Sequence, residues 1–210
     1  MPASHDPSLA AEAPPAPGMQ RHRIDPAESL LAIVVRRGGA LASMGHNHVV
    51  ASHDLSGYID LAAAPAASTL FMRIPVAALA VDEPGLRAGR GADFGGVVPD
   101  SARAGTRSNM LGEDLLDAAR YPEIIVRGIT LGGGPVNYAA QVELTVRAQR
   151  TTIQVPLRLE PAAAGTLRVS ARFPVAQSAL GLMPYSVMLG ALRVEDMLEI
   201  ELDLTARRVP

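Results

Sequence analysis

The sequence predicts an all-β protein built as an antiparallel barrel or sandwich, and three observations lead to that prediction. In several stretches apolar and polar residues alternate with a period of two, the pattern of a strand with one buried and one exposed face. These stretches are short and are separated by glycine and proline at fairly regular intervals. Clear helical spacing of apolar residues occurs in one stretch. We therefore expect about eight main strands and one helix.

The clearest pair of strands spans residues 141–160. Its apolar positions are Val142, Leu144, Val146 and Ala148, followed by Ile153, Val155, Leu157 and Leu159. Paired residues of an antiparallel hairpin share a face, so even positions of the first strand pair with odd positions of the second. A two-residue loop at Gln149-Arg150 satisfies this parity but requires positive φ, so we favour a four-residue loop over 149–152. Pro156 on the polar face predicts a bulge or a partly unpaired edge.

The N-terminal half predicts four further strands. The first covers residues 21–26. The second, residues 29–37, is apolar on both faces, so we expect the tail or a loop to cover its outer side. A third strand opens at residues 46–48 and continues to Ile59, with Gly57 as a bulge. Residues 68–74 form the fourth.

The middle of the chain is less regular. Residues 82–106 are glycine-rich and without periodicity, which predicts a long loop of the kind that serves as a lid or binding loop. A helix is predicted over residues 108–119, with Ser108 as its cap. Residues 180–190 predict an irregular apolar loop. The remaining strands are predicted over residues 123–131, 166–175 and 198–204.

Composition excludes several classes of protein. The net charge of −2 argues against a nucleic acid partner, and the absence of cysteine excludes disulfides and thiolate metal sites. No stretch is apolar for the roughly eighteen residues that a membrane helix needs. Residues 1–20, rich in alanine, proline and serine, predict a disordered tail before one domain. They lack the pattern of a signal peptide, which predicts a cytoplasmic location.

The inward face of the predicted sheet is uncharged. In the four cleanest strands every residue on that face is apolar. A barrel of eight strands is either filled by its own side chains or holds one small ligand. Such a ligand must itself be largely apolar, because a polar one would leave water without gaining hydrogen-bond partners.

Six segments, in order, resemble the YceI-like family of lipocalin-like barrels. They are residues 23–29, with Glu28 where the family has His; residues 57–60; Arg107 and Leu111 with Tyr121, Pro122 and Ile124; residues 144–147 with Thr151; Phe173 and Gln177 with residues 180–182; and residues 194–204. The resemblance covers about residues 21–208. It implies an extended, eight-stranded antiparallel barrel with one helix-bearing insertion. It also implies an elongated cavity that binds, sequesters or carries an isoprenoid-like lipid, such as a quinone or a prenyl chain. Family members are often periplasmic and often pair, so we also expect a homodimer.

Two histidines form the sharpest local pattern. His46 and His48 share one face of a strand, where two imidazoles can converge on a metal ion such as zinc, with Asp54 or Glu28 as a third ligand. The alternative function is thus a metal-binding, even catalytic, barrel. Histidines that only form hydrogen bonds at the barrel mouth explain the pattern equally. A third possible function for the protein is that of an interaction module with a filled core. No nucleophile, phosphate-loop or dinucleotide motif supports an enzyme.

The predicted ligand-binding residues combine these observations. They are Met44, His46, His48, Met72, Arg107, Met110, Leu111, Phe173, Met183 and Tyr185. Methionine adapts to varied apolar chains, although core packing explains any single one. Arg107 precedes the predicted helix, where it either contacts a phosphate or quinone oxygen or forms a structural ion pair.

Overall fold

The structure, a computed structural model, describes residues 13–162 and 165–209. Most strands in that part of the chain belong to one antiparallel sheet. The sheet closes because its first strand, β1 (Gln20–Ile24), pairs with its last, β14 (Met197–Arg208). The predicted all-β class and the lipocalin-like barrel of eight strands are therefore confirmed.

The barrel has eight positions, and three of them are each occupied by two strands in line. These pairs are β1 with β2 (Leu30–Val35), β4 (His48–Ser52) with β5 (Ser56–Leu61), and β6 (Thr69–Pro75) with β7 (Ala80–Val81). The other five are β8 (Glu123–Gly133), β9 (Asn137–Val146), β10 (Gln149–Ala162), β11 (Thr166–Ala176) and β14. Three short strands, β3 (Arg37–Gly38), β12 (Ser186–Val187) and β13 (Leu192–Val194), form a second sheet.

The strand predicted from residue 46 to Ile59 is divided in two. β4 and β5 occupy one position in the barrel but are interrupted at residues 53–55, where Leu55 N donates to His53 O. Gly57 lies just beyond the interruption with φ +140°, and a Cβ there would sit 2.0 Å from Phe71 O. A side chain at this position would clash with the neighbouring strand, which explains the glycine.

The loop of the 141–160 hairpin differs from the prediction. Val146 pairs with Gln149, so the loop is Arg147-Ala148, and the predicted four-residue loop over 149–152 is wrong. Arg147 adopts φ 55°, a conformation that costs energy for a residue with a side chain. Its Nη1 donates to Leu115 O at 3.3 Å, a bond that offsets part of this cost.

Strand β10 is paired on both sides only over its second half. Its register with β11 begins at Leu157, immediately after Pro156, so the predicted partly unpaired edge is present. Beside the first half lies the turn Ser178–Leu180, and Thr151 Oγ1 donates to Ala179 O at 3.0 Å. This turn therefore closes the barrel wall where β10 and β11 are not paired.

The glycine-rich segment contains more structure than predicted. It forms α1 (Pro84–Ala88), a turn at Ala92–Phe94 and α2 (Asp100–Leu111). The helix predicted over residues 108–119 is wrong: α2 starts after Pro99, with an aspartate in its first turn, and ends at Leu111, just before Gly112. Ser108 is thus an interior residue of the helix and not its cap.

A small second cluster lies outside the barrel, on the outer face of β2. Ala32 and Val34 of β2 pack there with Val49 and Phe94, and Leu86 of α1 contacts the cluster. The segment from α1 to Phe94 is therefore the cover that the two-sided apolar pattern of β2 predicts.

Residues 1–12 of the predicted N-terminal tail lie outside the described part of the chain. Within that part, Met19 N donates to Ala16 O at 3.0 Å, and β1 begins at Gln20. Among the described helices, none has the length and apolar character needed to cross a membrane.

Candidate functional site

The barrel encloses a cavity of about 400 Å³. Inward-facing aliphatic side chains from strands all around the barrel line it, among them Leu31, Val50, Ile59, Val126, Val142, Val155, Val169 and Leu202. The lining follows the period of two, with even positions of β9 and odd positions of β10 turned inward. A volume of this size falls within the roughly 300–1,000 Å³ of ligand pockets, so the barrel is not filled by its own side chains.

All arginine and histidine residues of the lining lie at one end, which we call the mouth. They are Arg36, Arg37, His46, His48 and Arg193, accompanied by the polar residues Thr106, Asn109, Gln177 and Tyr185. Pairing of Arg37 with Val194 and of Gly38 with Arg193 holds these segments together. Arg37 and Tyr185 line the cavity and are also exposed, so the cavity reaches solvent at this end.

A buried polar cluster organises the mouth. His48 Nδ1 lies 2.7 Å from Asp82 Oδ2, and His48 Nε2 lies 3.3 Å from Thr106 Oγ1. The other Asp82 oxygen accepts from Val49 N at 2.9 Å and from Arg87 Nη1 at 3.1 Å. Burial acts to raise the pKa of Asp82, but these hydrogen bonds and the charges of His48 and Arg87 outweigh it and lower the pKa.

The geometry of His48 fixes which of its ring nitrogens can meet a ligand. The Asp82 carboxylate only accepts hydrogen bonds, so it takes the Nδ1 proton, and Nε2 of the neutral ring is an acceptor beside the cavity. When the ring is protonated, Nε2 becomes a donor. Thr106 Oγ1 lies beside Nε2, so the imidazole and this hydroxyl together form a polar part of the cavity wall.

Comparison with known proteins places the chain in a family. The family model of the YceI-like domain matches residues 22–206. The chain belongs to the YceI-like family. The resemblance that the sequence motifs carry is thus confirmed, although no curated protein sequence matches the chain.

Solved structures share the YceI-like fold. BcnA of Burkholderia cenocepacia is 20% identical, with a TM-score of 0.63, and the match covers 87% of this chain and 98% of BcnA. A polyisoprenoid binding domain from Saccharophagus degradans, implicated in plant cell wall breakdown, is 13% identical, with a TM-score of 0.60 and coverage of 91% and 99%. The YceI protein of Campylobacter jejuni is 13% identical, with a TM-score of 0.53 and coverage of 75% and 82%. At these identities the likeness shows the fold.

The YceI-like barrel brings six of the ten predicted ligand-binding residues to the cavity wall. They are His46, His48, Met72, Met110, Phe173 and Tyr185. Met44 and Met183 do not reach the wall, because their neighbours Gly45 and Leu182 face the cavity and leave them 63% and 80% exposed.

The last two predicted ligand-binding residues, Arg107 and Leu111, also lie off the wall. Arg107 donates to Ala77 O at 2.7 Å and to Leu79 O at 3.3 Å, which ties α2 to the segment before β7. In the described part of the chain Arg107 thus bonds backbone carbonyls and forms no ion pair, while its contact with a ligand stays a prediction. Leu111 packs against the core at the end of α2 without lining the cavity.

The predicted metal site lacks ligands. The His46 and His48 rings lie 6.1 Å apart, and both nitrogens of His48 have protein partners. Glu28 pairs with Arg207 instead of approaching them. Over residues 13–162 and 165–209, no group of three or more histidine, aspartate or glutamate side chains could hold a metal ion. A zinc site needs at least three protein ligands, so the geometry does not support the metal alternative.

Sequence reasoning missed the partners of His48. Asp82 follows a strand of only two residues, β7, and Thr106 lies in a helix that was predicted as loop. The one signal in the sequence was an acidic residue directly after the apolar run of residues 76–81. Nothing in the spacing connects that residue with a histidine 34 positions earlier.

Proposed function

We propose that this YceI-like barrel binds one largely apolar, isoprenoid-like lipid, such as a prenyl chain or the tail of a quinone, and sequesters or carries it. The observation that carries the proposal is the cavity of about 400 Å³, which is lined mainly by aliphatic side chains and has arginine and histidine only at its mouth. The relative from Saccharophagus degradans, described as a polyisoprenoid binding domain, supports the isoprenoid class.

The distribution of polar groups gives the lipid one orientation. Its hydrocarbon chain lies against Met72, Val126 and Val142, where burial contributes roughly 25 cal/mol for each Å² removed from water. Its polar head lies at the mouth, beside His48 and Thr106. The reverse orientation would place the head where the lining has only the hydroxyls of Ser68, Thr69 and Thr130 and no arginine or histidine, so it would have fewer hydrogen-bond partners there.

A displacement titration tests this function. A fluorescent apolar probe is bound to the full chain and displaced by prenols of increasing length, by a quinone with a prenyl tail, and by straight-chain alcohols of matched carbon number. We expect one ligand for each chain and an affinity that rises with prenyl length until the cavity is full. Failure of every lipid to displace the probe would contradict the carrier function. Equal displacement by the straight-chain alcohols would contradict the isoprenoid class alone.

A further inference from the structure

Exposed apolar side chains are concentrated at the mouth of the barrel. Eight large apolar residues in the described part of the chain are exposed, and five of them belong to two segments, residues 41–45 and 183–190. These five, which we call the rim, are Met44, Met183, Tyr185, Met188 and Leu189. The other three are Val97, Ile129 and Met197.

The second sheet brings the rim together. Its strand order is β12-β13-β3, and the turn Met188–Gly190 connects β12 to β13. Leu41 N donates to Ala191 O at 2.7 Å, which joins the segment of Met44 to that of Leu189. Leu192 and Val194 of this sheet line the cavity, as does Tyr185 just before β12, so the rim borders the opening through which a ligand passes.

The tip of the rim is held in a costly conformation. Met188 and Leu189 have φ of 54° and 55°, in the left-handed region that residues with side chains rarely occupy. Their side chains are exposed, and that of Leu189 is fully so. Packing within the protein therefore does not offset the strain, and such strain persists mainly where a segment has a function.

The segments that carry the rim are locally positive, although the net charge of the whole chain is −2. Residues 36–46 and 181–194 contain Arg36, Arg37 and Arg193 but no aspartate or glutamate. Acidic partners come from outside these segments: Glu195 lies 3.8 Å from Arg193, and Glu199 lies 4.0 Å from Arg36. Both are ion pairs at the long end of the usual range, and the Arg36 and Arg193 side chains are about half exposed, so these two arginines can also contact an external anion.

We infer that the rim docks on a phospholipid bilayer with anionic headgroups. The apolar side chains at the tip enter the interface, Tyr185 lies at the level of the headgroups, and the arginines contact phosphates. This docking extends the proposed function, because an isoprenoid-like lipid resides in a bilayer and the mouth would open directly onto it. A second copy of the chain fits the rim less well, since a two-fold contact would bring the arginines beside the two rims close to one another.

Vesicle sedimentation tests the docking. The full chain is mixed with vesicles of phosphatidylcholine alone, or of phosphatidylcholine with phosphatidylglycerol, at low and at physiological salt. We expect binding to the anionic vesicles that weakens with salt. Leu189→Ser should lower the partition coefficient by about tenfold or more, because burial of a leucine side chain is worth at least that factor. Val97→Ser, which removes another highly exposed apolar side chain away from the rim, should bind as the unaltered protein does.

Three results would overturn the docking. The first is no binding to vesicles of either composition. The second is an equal loss of vesicle binding in the variants Leu189→Ser and Val97→Ser. The third is a dimer in sedimentation velocity that Leu189→Ser converts to monomer, because a second copy would then cover the rim. Displacement of the cavity probe is measured on the same samples. Normal displacement without vesicle binding contradicts the docking alone, whereas vesicle binding without displacement contradicts the carrier function alone.

Discussion

His48 Nδ1 donates to Asp82 Oδ2 across 2.7 Å, and the Asp82 side chain is only 1% exposed. The pair connects three elements. His48 belongs to β4, Arg87 of α1 contacts the other Asp82 oxygen, and Thr106 of α2 contacts the second nitrogen of His48. One buried carboxylate therefore positions the imidazole that faces the cavity and the two helices beside the mouth.

Asp82→Asn should destabilise the fold by about 3–5 kcal/mol at pH 7, because it leaves the buried partners of a carboxylate without their charge. Urea unfolding measures the free energy of unfolding. Asp93→Asn is the matched control: Asp93 is exposed, and its replacement should change stability by less than about 0.5 kcal/mol. Equal effects of the two substitutions would show that the polar cluster around Asp82 makes no special contribution to the free energy of unfolding.

The contribution of Asp82 to the free energy of unfolding should decrease at acid pH. Its pKa in the folded state is lowered below the ordinary value of 3.8. The contribution is therefore complete above about pH 3.8 and is lost as the pH falls through the lower folded pKa. Unfolding free energies of the unaltered protein and of Asp82→Asn should converge below pH 3.8. A difference that stays constant to acid pH would contradict this assignment.

A second buried ion pair joins strand β1 to strand β5. Arg21 Nε and Nη2 donate to the two Asp60 oxygens at 2.7 and 2.6 Å, and the guanidinium lies 3.8 Å above the centre of the Tyr58 ring. Asp60→Ala should cost about 3–5 kcal/mol, because Arg21 then stays buried without its main counter-charge.

The double replacement of this pair, Arg21→Met with Asp60→Leu, should recover much of that loss, since apolar side chains need no partner. Chemical denaturation of both single variants and the double variant gives the coupling free energy. Strictly additive losses would mean that the two residues do not act as a pair.

A single larger side chain can fill part of the cavity, and the same substitution at the neighbouring residue provides a control. Ala140 faces it from β9, whereas its neighbour Ala139 is exposed. Ala140→Phe should weaken binding of the apolar probe about tenfold or more, because the ring takes the place of two or more buried methylene groups of the ligand. Ala139→Phe adds the same side chain outside the cavity and should leave the affinity unchanged. Unimpaired binding by Ala140→Phe would locate the ligand elsewhere.

Arg107 is predicted to act on stability and not on ligand choice. Its guanidinium donates to Ala77 O and Leu79 O, so Arg107→Ala should lower the free energy of unfolding by about 1–2 kcal/mol. Probe displacement should show the same order of affinities for neutral and phosphorylated prenyl lipids as in the unaltered protein. A selective loss of the phosphorylated lipid would instead assign Arg107 to the headgroup.

The face of each strand was predictable from the sequence even where the loop was not. Which residues turn inward depends only on parity across the hairpin, and the observed loop at residues 147–148 keeps the parity of the predicted one. Val142 and Ile153 therefore share the inner face as expected. The uncharged inner faces of these strands, and with them the apolar character of the cavity away from its mouth, were predicted for the same reason.

The polar cluster was not predictable because it depends on contacts distant in sequence. Asp82 reaches His48 through the pairing of β4 with β7, and two residues are too short for a strand pattern to appear. Thr106 reaches it through α2, whose start was set by Pro99 and Asp100 and not by apolar periodicity. Local patterns thus predicted the barrel wall, whereas the chemistry of its mouth required the tertiary structure.

The most direct test of ligand binding inside the barrel is methyl NMR of methionine with a prenol as ligand. Met72 and Met110 line the cavity, whereas Met197 is exposed and lies off the cavity wall. One equivalent of prenol should shift the methyl resonances of Met72 and Met110 in saturable fashion and leave that of Met197 in place. Unchanged resonances of Met72 and Met110 at saturating prenol would contradict the account.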